Sequence, residues 1–350
     1  MSTTRSRTAS RSRFALAIVA AITLAASACS SSSSPSSSTS ASGATSVSIL
    51  SYPTSGSSWV EYIAQKEGFF TKNGIDATLV SLPAGQQGTA ALVGGSIDIG
   101  LLDTNNLGPL LAKGGKYTLI TNAIQNYWVL MGQKDLAGES LGAALNSLKG
   151  KGIAVPSLGG SGARELELML SAYGLSTSSV SLVADPTTTS FTTGRVGGFM
   201  NDTLGSCSVT AKGYPTVMNF VNPPAATASY PADVQKLIGL AGLGFWASDG
   251  WLGSHPGFET KFQKAIAETI SWAQQSANLN TIAELFHGTT WDTASLTDSQ
   301  WTSCTKEIVA TFSDKYSSAD FSTWNQILKA EGVSALPAES QFVAQGVPQS

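Results

Sequence analysis

From Val47 onward the chain alternates short apolar runs with amphipathic stretches. Val47–Leu50 reads as a strand that can extend into Ser51. A turn, Tyr52-Pro53-Thr54-Ser55-Gly56, follows, and Ser58 with Glu61 has the spacing of a capping box opening a helix from Trp59 to Glu67. Gly68 is placed to stop that helix, and Phe69 and Phe70 are expected to pack its end onto the sheet. Ile75–Leu82 predicts a second strand, Gln86–Val93 a second helix, and Ile97–Leu101 a third strand running out at Leu102-Asp103-Thr104-Asn105. Strands and helices alternating at this spacing predict a parallel sheet. In such sheets ligands bind beyond the carboxyl ends of the strands.

The same grammar returns further on. Gly152–Val155 is an apolar strand, "PSLGGSG" a glycine-rich corner, and a helix follows from about Ala163. Glycines such as Gly160 let a backbone approach a ligand closely, and the unpaired amides at a helix start favour an anion. Ser157 and Ser161 can add hydroxyl donors. Leu166, Leu168, Met169 and Leu170 serve packing, whereas Glu165 and Glu167 are expected to be solvated or cap-related. Arg164 is expected in a surface or interlobe ion pair. A second echo is exact in register: Ile97 and Asp103 stand two and eight residues after Gly95, and Val196 and Asp202 stand two and eight after Gly194. This suggests two similar lobes. Beyond Pro256 the periodicity is helical, marked by Phe262, Ile266 and Ile270, then Trp301, Ile308 and Phe312, then Trp324, Ile327 and Leu328.

The amino terminus changes the picture. Arg5, Arg7, Arg11 and Arg13 precede an apolar run from Phe14 to Ala26, too short to span a bilayer, which takes about 20 residues. This is the pattern of an export signal over residues 1–28. Leu24-Ala25-Ala26-Ser27-Ala28-Cys29 resembles the lipobox of bacterial lipoproteins, which implies that Cys29 becomes a lipidated amino terminus anchored in the membrane. Residues 29–46 are nearly all Ser, Thr, Ala, Gly and Pro, a disordered tether of roughly 20–25 Å reach. Removing four arginines and no acids takes the formal net charge from −3 to −7. An acidic mature chain has no general attraction for nucleic acid.

Besides Cys29 the cysteines are Cys207 and Cys304. Outside the cytosol they can form a disulfide worth about 4–5 kcal/mol in the chain-entropy account, or remain two buried thiols. His255 and His287 are the only histidines and lack ligand spacing, so no metal and no cofactor is expected. There is no Gly-x-Gly-x-x-Gly, and no Lys stands where a Walker loop requires it.

"YIAQKEGFFTKNGIDATLV", "ALVGGSIDIGLLD" and "LKGKGIAVPSLGGSGARELELMLSAYGLSTSSVSLV" together resemble the periplasmic-binding-protein family that serves nitrate, sulfonate, taurine and thiamine-precursor importers. The likeness runs from about Val47 to Ala211, with a weaker echo in "GFWASDGWLGSHPGFETKFQKAI". One position departs: Gly197 and Gly198 stand where that family has Asp-Ala. The resemblance implies a type II two-lobed α/β fold, each lobe a mostly parallel sheet flanked by helices, with carboxyl-terminal helices on the first. One lobe would comprise 47–125 and 236–350 and the other 126–235, with "VNPPAATASYP" near the return crossing. The protein would act outside the cytoplasm as a monomer, capture a small solute and deliver it to a membrane permease driven by a separate ATPase subunit.

By lobe symmetry the expected ligand contacts are Tyr52, Thr54, Ser55, Asp103, Thr104, Asn105, Ser157, Gly160, Ser161, Asp185, Thr187, Asn201 and Asp202. Asp98 and Lys149 are expected to serve the sheet edge and a turn, and Tyr127, Trp128, Trp246 and Trp251 either packing or stacking. An anion suits the helix-start corner, while Asp103 and Asp202 suit a donor-rich heterocycle. A disulfide joining Cys207 in one lobe to Cys304 on the other would have to lie near the hinge or restrict closure. The alternative is a secreted serine hydrolase: Gly159-x-Ser161-x-Ala163 approximates a nucleophile elbow, with Asp202 or Asp249 and His255 or His287 completing a triad.

Overall fold

The computed structural model describes residues 43–349, apart from 84, 290, 291 and 293–295. The segment expected to be an export signal, Cys29 and most of the expected tether lie outside the described residues. Ten strands form two sheets. They are β1 (Thr45–Ser51), β2 (Ile75–Ser81), β3 (Ile99–Asp103), β4 (Tyr117–Gln125), β5 (Trp128–Gly132), β6 (Gly152–Val155), β7 (Ser181–Ala184), β8 (Gly198–Asp202), β9 (Thr216–Asn219) and β10 (Ala241–Ser248). The first sheet has the order β2-β1-β3-β10-β4 and the second β7-β6-β8-β5-β9. β1 runs parallel to β2 and β3, and β6 parallel to β7 and β8. β10 and β5 are antiparallel to both neighbours.

Those two antiparallel strands are the ones that arrive by crossing between sheets. The chain leaves β4 at Gln125 and enters β5 at Trp128, then leaves β9 at Asn219 and re-enters the first sheet at β10. The sheets are therefore mixed, and the alternation of strand and helix holds for the parallel trio in each. β3, β5 and β8 are buried at every residue, as expected of strands covered on both faces.

The internal repeat is structural. Gly95 and Gly194 both adopt the left-handed conformation (φ +70° and +72°) that glycine tolerates without a Cβ penalty. β3 and β8 begin four residues after these glycines, two later than the apolar pattern suggests, and end at Asp103 and Asp202. Each aspartate caps the next helix, Thr104–Leu111 or Thr203–Thr210.

Several local expectations are corrected. The fold begins at Thr45, two residues inside the expected tether, because β1 pairs with β2 from Thr45↔Ile75. The Trp59–Lys66 helix has no capping box: Ser58 Oγ accepts from Tyr52 N instead (2.6 Å), and Glu61 is fully buried. Phe69 and Phe70, on a short helix set against β2, also reach the Phe258–Ala273 helix through Trp272 and Phe262. Asp98 pins β3 to β1, its carboxylate accepting from Ser48 N (2.8 Å) and Oγ (2.6 Å). At the matching Gly197 a Cβ would fall 2.7 Å from Lys151 Cδ and 2.9 Å from Leu148 Cδ2, so a side chain there requires those two to shift.

The carboxyl-terminal helices cover the first sheet's half. Phe262 meets Phe245 of β10 at 5.0 Å between rings. On the Asp298–Val309 helix, Trp301 lies against Trp59 and donates to Ala283 O (2.9 Å). On the Ser318–Ala330 helix, Trp324 donates to Ala241 O (3.0 Å). Phe312 lies past its helix and bridges Ile124 of β4. Cys207 and Cys304 are joined by a disulfide, with Cα atoms 5.9 Å apart. Among the described residues no helix is long and apolar enough to cross a membrane.

Candidate functional site

A cleft of about 540 Å³ lies between the two sheets, walled by the loops and helix starts at their strand ends. Tyr52, Thr54, Ser55, Asp103, Ser157, Gly160, Ser161, Thr187, Asn201 and Asp202 all line it. Thr104, Asn105 and Asp185 do not. Each helical residue turns about 100° from the last, so after the cap at Asp103 it is Asn106 that faces the cleft, while Thr104 and Asn105 are buried beneath. Asp185 shapes a wall from behind: its carboxylate accepts from Thr187 N (2.8 Å), Thr187 Oγ1 (2.7 Å) and Ser190 N (3.0 Å). Partial burial opposes its ionisation, but bonds from Ser190 and Thr187 outweigh that and hold its pKa at about 2.

Sequence reasoning missed Gln86, Asn106, Ser57, Ser208 and Lys212 as lining residues, and left Tyr127 and Trp128 undecided. Tyr127 and Trp128 stack at 4.9 Å and stand at the first crossing, so one stretch both joins the halves and floors the cleft. Their position between two apolar strands was the available signal. Trp128 Nε1 donates to Ser161 Oγ (3.2 Å). Gly162 packs against the same ring, where a Cβ would come within 2.9 Å. Trp246 and Trp251 serve packing, the first donating to Leu102 O and the second stacking on His255.

The two halves touch across the cleft. Ser55 Oγ donates to Asp202 Oδ2 (2.6 Å), and Gly56 N donates to the same oxygen (3.1 Å). Arg164, on the Ser161–Ala172 helix, pairs with Glu331 beyond the last helix, an ion pair between halves. Thr54 holds φ +67°, an uncommon conformation for a β-branched residue and a form of strain found at binding sites.

Three of the helix starts at the cleft differ in what they offer a ligand. Asp103 Oδ1 accepts from Asn106 N (2.7 Å), and Asp202 Oδ1 from Gly205 N (2.7 Å). Those two ends are filled by the protein's own carboxylates. Gly160 caps the Ser161–Ala172 helix without any side-chain bond, so its amides are open to the cleft. Burial raises the pKa of both aspartates, offset in part by these bonds and, for Asp103, by Ser161 and the Arg164 charge. Among the described residues the only cation lining the cleft is the exposed Lys212.

Behind the walls sit two further acids. Glu165 is buried, not solvated, and Asn126 Nδ2 donates to its Oε2 (2.6 Å). Asn126 also donates to Leu237 O (2.9 Å) and, from its backbone, to Leu240 O (2.6 Å), tying the first crossing to the second. Burial lifts Glu165 to about 8, against the Asn126 bond and with help from Asp103. Burial lifts Glu61 to about 8 as well; Ser51 and Ser58 are near enough to counter this in part, yet neither oxygen of Glu61 carries a hydrogen bond of good geometry.

The hydrolase alternative fails on geometry. Ser161 Oγ is engaged by Trp128, and among the described residues no histidine lines the cleft. His255 Nδ1 lies 2.8 Å from Trp251 O, and His287 sits against Asp292 and Asp298. Among the described residues no group of three His, Cys, Asp or Glu could hold a metal ion.

Two like sheets around a cleft, joined by two crossings, define the fold of periplasmic binding proteins. The family model described as NMT1/THI5 like matches residues 57–278, and the chain belongs to that family. Among solved structures, the chain is similar to a protein of Bordetella bronchiseptica RB50 (TM-score 0.68, 17% identity, 86% of this chain and 95% of that one). It is similar to the alkanesulfonate-binding protein SsuA from Xanthomonas axonopodis pv. citri, bound to MOPS (0.62, 16%, 83% and 94%). It is also similar to the periplasmic nitrate-binding protein NrtA from Synechocystis PCC 6803 (0.59, 15%, 73% and 69%). No curated protein matches the chain by sequence.

Proposed function

We propose that this protein is the extracytoplasmic solute receptor of an ABC importer. It captures one small solute between two hinged lobes and hands it to a membrane permease powered by a separate ATPase. The observation that carries this is the cleft at the strand ends, crossed by the Ser55–Asp202 bond, in a fold shared with sulfonate- and nitrate-binding proteins. The lobes are residues 45–125 with 236–350, and 126–235. The ligand contacts are the cleft-lining residues named above.

Aspartates cap two of the helix starts at the cleft, and among the described residues Lys212 is the sole lining cation. This supports a polar solute rich in hydrogen-bond donors, such as a heterocycle, over a bare anion. Tyr52, Tyr127 and Trp128 supply aromatic surface for it. Cys29 carries the lipid that keeps the receptor at the membrane, as a monomer.

Thermal-shift titration of the purified exported protein with pyrimidines, flavins, aliphatic sulfonates and nitrate tests the reading. One class should raise the melting temperature in a concentration-dependent way, because a ligand that binds only the folded form stabilises it by mass action. Recovery of that compound chemically altered would refute a receptor. Radiolabelled palmitate should enter the wild type and be absent from Cys29→Ser.

A further inference from the structure

Two stretches of backbone join the halves, 126–127 and the return between β9 and β10. The Cys207–Cys304 disulfide is a third covalent link. Cys207 lies on the Thr203–Thr210 helix, whose Thr203 hydroxyl donates to Tyr127 O in the first crossing (3.2 Å). Cys304 lies on the Asp298–Val309 helix, held to the first half by Trp301 against Trp59. Just past that helix, Thr311 O accepts from Gln125 N (2.7 Å), and Phe312 bridges Ile124. Each cysteine thus stands beside the hinge. At 1.5 Å of rise per residue, Cys207 is about 6 Å along the helix from Thr203 and Cys304 about 10 Å from Thr311.

We propose that this disulfide is a clasp that limits how far the cleft opens. Disulfides span Cα separations up to about 6.8 Å, so the bond at 5.9 Å has about 1 Å of slack. On a lever of about 10 Å from the crossing, that slack allows a rotation on the order of 5° before the two helices must shift. The other links between the halves are of another kind. The Ser55–Asp202 and Gly56–Asp202 bonds and the Arg164–Glu331 pair can each be exchanged for water. They set how often the cleft is closed, whereas the disulfide sets how wide it can become. The two rims meet where Gln86 stands against Gly159, and the bond limits how far they can part. The restraint belongs to the fold and is measured without solute, so it stands or falls separately from the receptor reading.

The test compares the exported protein, bond intact, with Cys207→Ser/Cys304→Ser and Cys207→Ala/Cys304→Ala double variants. Small-angle scattering should show a larger radius of gyration in both variants. Hydrogen exchange at the Gly56 amide, which bonds across the cleft, should rise at least tenfold, while amides of β6 and β8 keep their protection. Reducing the wild type with dithiothreitol, which leaves as its cyclic disulfide and passes its two hydrogens to the cysteines, should reproduce both changes. Unchanged scattering and Gly56 exchange in the folded variants would overturn the proposal. So would loss of fold in both variants, which would make the bond a folding staple instead.

Discussion

The two halves place equivalent residues at equivalent points and then treat them differently. Glu61 stands ten residues after the end of β1, and Glu165 ten after the end of β6. Both are buried on the helix behind a cleft loop. Glu61 has only Ser51 and Ser58 close by and no hydrogen bond of good geometry, whereas Glu165 is gripped by Asn126, which also holds the return crossing. One acid is an isolated cost within the first half; the other belongs to the joint. A similar divergence separates Asp98, which staples β3 to β1, from Gly197, where Lys151 and Leu148 crowd the space a side chain would take. Duplicated geometry thus fixes where a residue stands, and local packing decides what it does.

The largest expected effect is on pH dependence. Folded Glu61 and Glu165 keep their protons up to about pH 8, whereas an unfolded glutamate releases its own near 4.5. Folding therefore takes up protons across that window, and stability falls as pH rises through it, by up to a few kcal/mol per group. Glu61→Gln and Glu165→Gln should each flatten the decline in melting temperature measured by calorimetry from pH 5 to 8.5. If only one variant flattens it, the two acids are not equivalents.

A smaller effect sharpens the Asp98–Gly197 contrast. Gly197→Asp should destabilise by about 1–3 kcal/mol through overpacking, and Asp98→Gly by about 2 kcal/mol through lost bonds to Ser48, both read from urea denaturation. A neutral Gly197→Asp would show that the second half has room for the first half's staple. The smallest effect is that of Arg164→Gln, which breaks a partly exposed ion pair. It should cost under about 1 kcal/mol in the same measurement, and less in high salt.

The parallel strands β1, β2, β3 and β6 and the repeat were legible because glycine, apolar run and aspartate recur at one spacing; the order of strands within each sheet, and the antiparallel β5 and β10, were not. Ten of the thirteen expected contacts line the cleft for the same reason. What could not be read was rotation. Whether Asn105 or Asn106 faces the cleft depends on the residue at which the helix begins, a matter of one position. Ser58 looked like a cap because its spacing from Glu61 is right; the Tyr52 amide competes for it through a turn that no pattern records. Glu165 looked solvated because a charged residue near a helix start usually is, and its partner Asn126 is distant in sequence. Phe312 kept a helical period although its helix had ended, because burial against Ile124 selects the same residue type.

All five strands of the second sheet come from one continuous stretch, residues 128–219, whereas β10 sits between β3 and β4 and is made more than a hundred residues after either. As the chain is synthesised, the second sheet can assemble as soon as its own residues exist. The first must wait with a gap at its centre until Ser248 has emerged. A fragment ending before residue 241 would hold β4 with no partner strand, so the order of assembly runs opposite to the order of the sequence.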